Sequence, residues 1–390
     1  MALDSRRPAP IRTDSSNDFA HFSMKVRVPN ILEEIQARNP DYPAPIHRAL
    51  EKLSNDLAND APIPMIGLPA PDYDDWTALY GPHAGESWLN TTWFFAELYL
   101  YRLVIEAVRW WETGRDPFAP NKNEELMGES LWKFLARSLE TRELPVAERL
   151  GKLLHLAMWG NRIDLSYAAS REHGHDWDAD DMLVDDSAKA VQWVLDRPGA
   201  FHLVADNTGT ELAADFALIA ALLEARDEPV ILHLKMHPIF VSDAMVPDAL
   251  AFLDALDRRG SQMSALAQTL RDALTVGKLR LAPDLYWNQT RFLWDLPPRL
   301  QRTFEGAALV IFKGDANYRR VLGDAVWDPE IPFDEAVNYF PAPLLALRTL
   351  KSDPVVGLPP GMAFRLEASD PKWRLNGKRG LVQLAAKDAV

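Results

Sequence analysis

A chain of 390 residues with 47% hydrophobic and 25% charged residues is long enough to bury full cores without disulfides, metals or an obligatory partner. Its 42 Lys and Arg against 56 Asp and Glu leave a net charge of −14, which argues against nucleic-acid backbones and anionic membranes as partners. The absence of cysteine removes disulfide frameworks, zinc ribbons, iron–sulfur clusters and thiol nucleophiles together and fits a reducing compartment, so any metal must sit on oxygen or imidazole.

In chain order, the polar, Pro-containing opening MALDSRRPAPIRTDSSND lacks the apolar run of roughly seven or more residues that a secretory signal needs. A cytoplasmic location is therefore expected, with residues 1–28 as a flexible leader. Residues 29–181 carry helical periodicity at Ile31 to Ala37, Ile46 to Asn59, Leu126 to Leu139 and Leu144 to Met158, which predicts a helical first domain. The apolar stretch from Trp88 to Trp111 is interrupted by Glu97, Arg102, Glu106 and Arg109. It therefore reads as a buried amphipathic helix rather than a membrane span. The run APIPMIGLPAPD from Ala61 to Asp72 must be a surface loop, because prolines block both ladder and helix.

From residue 182 to 390 short apolar strands alternate with helices, the pattern of a mostly parallel sheet flanked on both faces in a three-layer α/β arrangement. The predicted strands are Phe201 to Ala205, Val230 to Leu234, Leu279 to Ala282, Ala308 to Phe312 and Leu344 to Leu347; Thr210 to Ala225 is the clearest helix. Polar residues follow four of the five strands' ends or lie in the loops beyond: Asp206, Asn207, Thr208 and Gly209; then Asp243; then Lys313 to Arg319; then Arg348 to Lys351. Right-handed crossovers place these groups on one edge of the sheet, where ligands bind in open parallel sheets. Two carboxylates and an amide suit a hard divalent ion, and Arg319, Arg348 and Lys351 suit the charge of a phosphoryl group. Each residue alone also has a plain structural reading, as a turn former, a helix cap or a surface cation.

Other constellations are weaker. The segment His173, Gly174, His175, Asp176, Asp178, Asp180, Asp181 has metal-ligand composition but the look of a solvated loop. Gly160 reads first as a helix C-terminal cap, with Asn161 a candidate to face the cleft. Glu97, a buried acid, needs a partner, and Arg102 is the expected one, with a ligand as the alternative. No phosphate loop, dinucleotide fingerprint, serine-hydrolase elbow or zincin motif is present in the sequence, which removes support for those classes.

The phrases VADNTGTELAAD, HLKMHPIFVSDA, FKGDANYRRVLGD and LRTLK, in this order, resemble the damage-control phosphatases, a metal-dependent group once known only as a domain of unknown function. WFFAELYLYRLV and MWGNRIDLS extend the resemblance into the helical half. The Arg348–Lys351 match to an RTxK signature resembles the subgroup that acts on sugar phosphates. The resemblance implies that Asp206, Asn207 and Asp243 hold a divalent metal, manganese first, with cobalt or nickel as alternatives. It implies that Asp206, Asn207, Asp315, Ala316, Asn317, Tyr318, Arg319 and Lys351 contact a small phosphorylated sugar of the fructose 1-phosphate kind, with Lys313 and Arg348 nearby. Asp206 is either the nucleophile or a ligand beside an attacking water, and Asp315 is a candidate to orient water or donate a proton. Some members are also described as protein-glutamate methyltransferases using S-adenosylmethionine. Here the first α/β strand runs into DNTG rather than a glycine-rich turn. A noncatalytic sugar-phosphate binding protein is the third reading, and the oligomeric state is left open.

Overall fold

The computed structural model describes residues 7–166 and 181–386, without the side chains of 161–166. Seven strands form one sheet: β1 (Met182–Asp185), β2 (Phe201–Val204), β3 (Val230–Leu234), β4 (Leu279–Pro283), β5 (Leu309–Lys313), β6 (Leu344–Thr349) and β7 (Gly380–Ala385). Their spatial order is β1-β7-β6-β5-β2-β3-β4. Strands β2 to β6 run parallel to one another, and β7 runs antiparallel to β6. All five strands expected from the sequence are present. The two that the pattern did not reveal are the four-residue β1, inside an acidic stretch, and β7, which carries the polar Gln383 in a buried position.

Side chains alternate across the sheet as the strand period requires. Phe201, Leu203, Leu309 and Ile311 pack toward helices Glu129–Glu140, Val146–Ser166, Ser187–Asp196, Gly209–Ala225, Val246–Leu256 and Ser261–Thr275. Val204, Val310 and Phe312 point the other way, into a core with Trp287, Phe304, Tyr318 and Trp373. The expected three-layer arrangement is thus realised, with the N-terminal helices Val28–Arg38, Ala44–Ala58 and Trp93–Ala107 forming a further core of their own.

Three local expectations are corrected. The opening segment is no free leader from Pro10 onward: Ile11, Ala20 and Met24 are buried in the helical core, and the Ile11 amide donates to Asp324 O at 2.8 Å. Apolar side chains spaced through a polar stretch suffice to dock it. Nor does a boundary near residue 181 separate the cores, because helices Glu129–Glu140 and Val146–Ser166 pack on the sheet with helix Gly209–Ala225. Gly160 lies inside helix Val146–Ser166 rather than capping it; a Cβ there would sit 3.2 Å from Glu211 Cα, so the glycine permits close helix approach. His173 to Asp180 and the Asn161 side chain lie outside the described residues, and Asp181 pairs with Arg379 at 3.0 Å. Among the described residues no helix is long and apolar enough to cross a membrane.

The chain passes from β2 to β3 and β4 on one side, then returns to place β5 on the other side of β2. The strand order therefore reverses between β2 and β5, and the crevice beyond the carboxyl ends of strands at such a reversal is where ligands bind in this architecture.

Candidate active site

Strand β2 ends at the reversal point and delivers Asp206, while β3 leads into the loop that carries Asp243. The two loops are stitched by backbone hydrogen bonds: Ala244 N to Asp206 O at 2.8 Å, Thr208 N to Ser242 O at 2.7 Å, and Lys235 N to Ala244 O at 3.0 Å. Asn207 and Asp243 form an antiparallel bridge. The sequence-predicted trio of Asp206, Asn207 and Asp243 is therefore brought together by main chain as well as by strand order. Across the reversal, β5 runs directly into Gly314, the first residue of helix Gly314–Leu322, with φ +83°, and a Cβ on it would lie 1.9 Å from Asp206 Oδ2. Only glycine fits, both because the left-handed backbone disfavours a side chain and because the Asp206 carboxylate occupies its place.

The side chains form a dense acidic cluster. Asn207 Nδ2 donates to Asp206 Oδ2 at 3.1 Å and to Glu211 Oε1 at 2.5 Å, and its Oδ1 accepts from Ser242 Oγ at 2.6 Å. Asp206 is 5% exposed and Asp243 1%. Burial, reinforced by the charges of Glu211 and Asp243, pushes the Asp206 carboxyl well above the usual range, with Lys235 and Lys351 pulling the other way. Burial likewise pushes Asp243 up to about 6, opposed by Lys235, whose Nζ is 3.3 Å away. That contact lacks hydrogen-bond alignment, and Asp243 Oδ2 has no hydrogen-bond partner. Lys235 is itself pushed down by burial, against the pull of Asp243.

The cations expected at this rim divide sharply. Lys313 is committed to Asp215 at 2.7 Å. Arg319 is buried, bonded to Glu97 at 2.6 Å and Asp324 at 2.7 Å, with its guanidinium 3.7 Å from the centre of the Trp93 ring. Arg348 is fully buried and donates to Asp315 at 2.8 Å and to Ser352 O at 2.8 Å. Glu97 thus pairs with Arg319 and Arg27, while Arg102 pairs with Asp72 at 2.8 Å. Positions 97 and 102 are five residues apart, on different faces of one helix. Lys351 is half-buried, and among the described residues its ammonium makes no hydrogen bond or ion pair, although its charge acts on Asp206.

Asp315 and Ala316 are the half-buried residues of the first turn after Gly314, facing the rim, whereas Asn317, Tyr318 and Arg319 are buried behind them. Tyr318 donates to Gln383 Oε1 at 2.8 Å, and Asn317 Nδ2 donates to Ala205 O at 3.1 Å. For Asp315 burial raises the carboxyl, but Arg348 and Arg319 outweigh it and hold the group below its ordinary value. Both guanidinium groups thus favour its ionised form.

Comparison with known proteins bears on these motifs together. The profile of the damage-control phosphatase ARMT1-like domain matches residues 23–366. The chain belongs to this family. Among curated relatives, the damage-control phosphatase ARMT1 of Danio rerio is 27% identical, covering 97% of each chain. The Rattus norvegicus and Homo sapiens proteins of the same name are 29% and 28% identical, each covering 96% of this chain and 98% of the relative. A solved structure of a DUF89 family protein from Pyrococcus horikoshii superposes with a TM-score of 0.50 at 16% identity, covering 94% of this chain and 98% of the other. That likeness concerns the fold.

Two residues of this cluster at the strand-order reversal were not singled out in the sequence. Glu211 had a usable signal: helix Gly209–Ala225 is apolar all round, so its acids must lie in the interior. Lys235 follows β3 directly and had the same strand-end placement as Asp206. As a test of metal fit, no group of three or more His, Cys, Asp or Glu poised for an ion occurs among the described residues. Asp206, Asp243 and the Asn207 amide nonetheless form an all-oxygen-capable set with one buried carboxylate oxygen, Asp243 Oδ2, lacking a hydrogen-bond partner. Such a set fits a hard divalent cation that keeps some of its waters. An open cleft of about 300 Å³ lined by Met182, Leu183, Met362 and Leu366 with Arg365 and Arg379 shares no residue with the site.

Proposed function

We propose that this chain is a divalent-metal-dependent phosphatase acting on sugar phosphomonoesters of the fructose 1-phosphate kind. The observation that carries the reading is the meeting of Asp206, Asn207 and Asp243 at the strand-order reversal, within the field of the Lys351 ammonium, which has no partner among the described residues. Asp206, Asp243 and Asn207 hold the cation, manganese first and cobalt or nickel as alternatives. When bound, the ion supplies Lewis-acid polarisation of a phosphoryl oxygen. Lys351 binds the phosphoryl group and offsets the charge that builds on its oxygens as the bond to the sugar breaks. Asp206 either attacks phosphorus or holds the site for an attacking water. Because Asp315 is kept ionised, the leaving sugar oxygen takes its proton from water.

The test is a phosphate-release panel of sugar phosphates with Mn²⁺, Co²⁺ and Ni²⁺, run on the wild type, Asp206→Asn and Asp243→Asn. Turnover by the wild type and its loss in both variants, with unchanged melting curves, is expected. Phosphate release by either variant at the wild-type rate overturns the assignment. Calorimetric binding of S-adenosylmethionine without any phosphate release replaces it with methyl transfer, and sugar-phosphate binding without release reduces it to a binding protein.

A further inference from the structure

Helix Ala119–Met127 belongs to none of the rim motifs, yet it grips both loops of the site. Lys122 is 6% exposed and directs its ammonium at three oxygens: Asp243 O at 3.0 Å, Asp248 Oδ2 at 2.8 Å and Asp116 Oδ2 at 3.0 Å. Asp248 Oδ2 also accepts from Met245 N at 2.9 Å. The lysine therefore ties the Asp243 peptide to the first turn of helix Val246–Leu256. Three residues on, Glu125 Oε1 accepts from Thr210 N at 2.7 Å. Its carboxylate lies where a side chain on Gly209, φ +65°, would stand, with Cδ 1.9 Å from that Cβ position. One helix thus holds the loop of Asp243 with one side chain and the turn after Asp206 with another.

The Asp243 loop needs outside support. Phe240 and Val241 adopt φ values of +50° and +70° in succession, a left-handed pair without glycine, and a β-branched residue there is a strained outlier. Such a loop keeps its shape only when its surroundings over-determine it. Its own bonds, Ser242 N to Phe240 O at 2.8 Å and Asp243 N to Ile239 O at 3.3 Å, are local, and Thr208 N to Ser242 O and Ala244 N to Asp206 O join it to the neighbouring Asp206 turn. Lys122 anchors it to a separate element.

We infer that Lys122 and Glu125 are positioning residues, which hold the stitched Asp243 loop and Asp206–Asn207 turn against helix Ala119–Met127 and so steady the cation site between them. The inference rests on the function proposed above. Lys122 acts through the Asp243 carbonyl and Glu125 through the Thr210 amide.

The experiment compares wild type, Lys122→Met, Glu125→Ala and Glu125→Gln for Mn²⁺ affinity by calorimetry, kcat and KM with fructose 1-phosphate, and Tm. Lys122→Met and Glu125→Ala are expected to weaken Mn²⁺ binding about 10- to 100-fold, as loss of groups that orient metal ligands does, with kcat falling and KM changing by less than about threefold. Glu125→Gln, whose amide oxygen still accepts from Thr210 N, is expected to restore both. A purely structural role would lower Tm while leaving the Mn²⁺ affinity of the folded protein as it was, and that result overturns the inference. Should Lys122→Met fail to fold, Glu125→Ala and its Gln rescue decide the matter. A wild type that neither binds Mn²⁺ nor releases phosphate overturns the proposed function and the positioning role together; a working wild type with unaffected variants overturns the positioning role alone.

Discussion

Replacing Gly314 by alanine tests whether the β2–β5 reversal is the chemical centre. The substitution has two separable costs. At φ +83° an alanine forfeits about 1–2 kcal/mol for a left-handed backbone. The new methyl would also stand 1.9 Å from Asp206 Oδ2, where ordinary contact begins at 3.4 Å, so the carboxylate must retreat by roughly 1.5 Å. Asp206 is buried and accepts from Asn207 at 3.1 Å, so a shift of that size breaks its alignment with the Asn207–Asp243 pair. A misplacement of about 1 Å at a reacting centre costs on the order of 100-fold in rate, equivalent to about 2.7 kcal/mol of barrier. Gly277→Ala is the control, since Gly277 has φ +76° and nothing within 4 Å of its Cβ position, and it should show the backbone penalty alone. Urea unfolding and Mn²⁺-supported phosphate release, measured on both variants, separate the two terms. Gly277→Ala should keep full turnover; Gly314→Ala should lose about 100-fold. If Gly314→Ala turns over within threefold of wild type while its stability falls as far as that of Gly277→Ala, Asp206 is not part of the reacting geometry.

Lys351→Met removes a rim cation that has no partner among the described residues and should lower kcat/KM by about 10- to 150-fold, the worth of one hydrogen bond to a charged group, with Tm and Mn²⁺ affinity unchanged; an effect on Tm instead would make it a structural lysine. Arg348→Met leaves the Asp315 carboxylate without its guanidinium and should cost about 3–5 kcal/mol in denaturant melts, whereas a loss below about 1 kcal/mol would contradict the pairing. The buried imidazoles of His202 and His233, 2.9 Å apart, are pushed by burial down to about 4 and about 3, the second also by the charge of the first. They stay neutral at pH 5 while the unfolded chain, titrating near 6.5, takes up protons. Stability is therefore complete above pH 6.5 and falls as pH drops toward 4, by roughly 1.4 kcal/mol per pH unit for each ring. His202→Phe should shrink the difference in urea midpoint between pH 7 and pH 5, and an unchanged difference would show that the pair is not the source.

What the sequence reveals and what it hides follow from the range of the interactions involved. The rim was legible because each parallel strand is a short apolar run that stops at polar residues, and crossover handedness then places those residues on one edge without any knowledge of side-chain partners. Strand β1 was not, because four residues in an acidic stretch carry too little pattern. Which rim cations are free was beyond reach for a different reason. Arg319 looks like a phosphate ligand by position, but its partner Glu97 lies 222 residues earlier, and Lys313 and Arg348 are neutralised by acids on other elements. The same distance effect hid Lys122, which reaches Asp243 across 121 residues. Local pattern reports where charges are delivered, and only packing reports which of them are already matched. In this buried acidic site the unbalanced groups are the carboxylates of Asp206 and Asp243, raised chiefly by burial with the charge of Glu211 adding to both, and an ammonium at Lys351 without a partner among the described residues. A bound divalent cation would relieve the first and an incoming phosphoryl group the second, so the electrostatic imbalance left after all internal pairs are formed has the sign and the placement that a metal-dependent phosphatase requires.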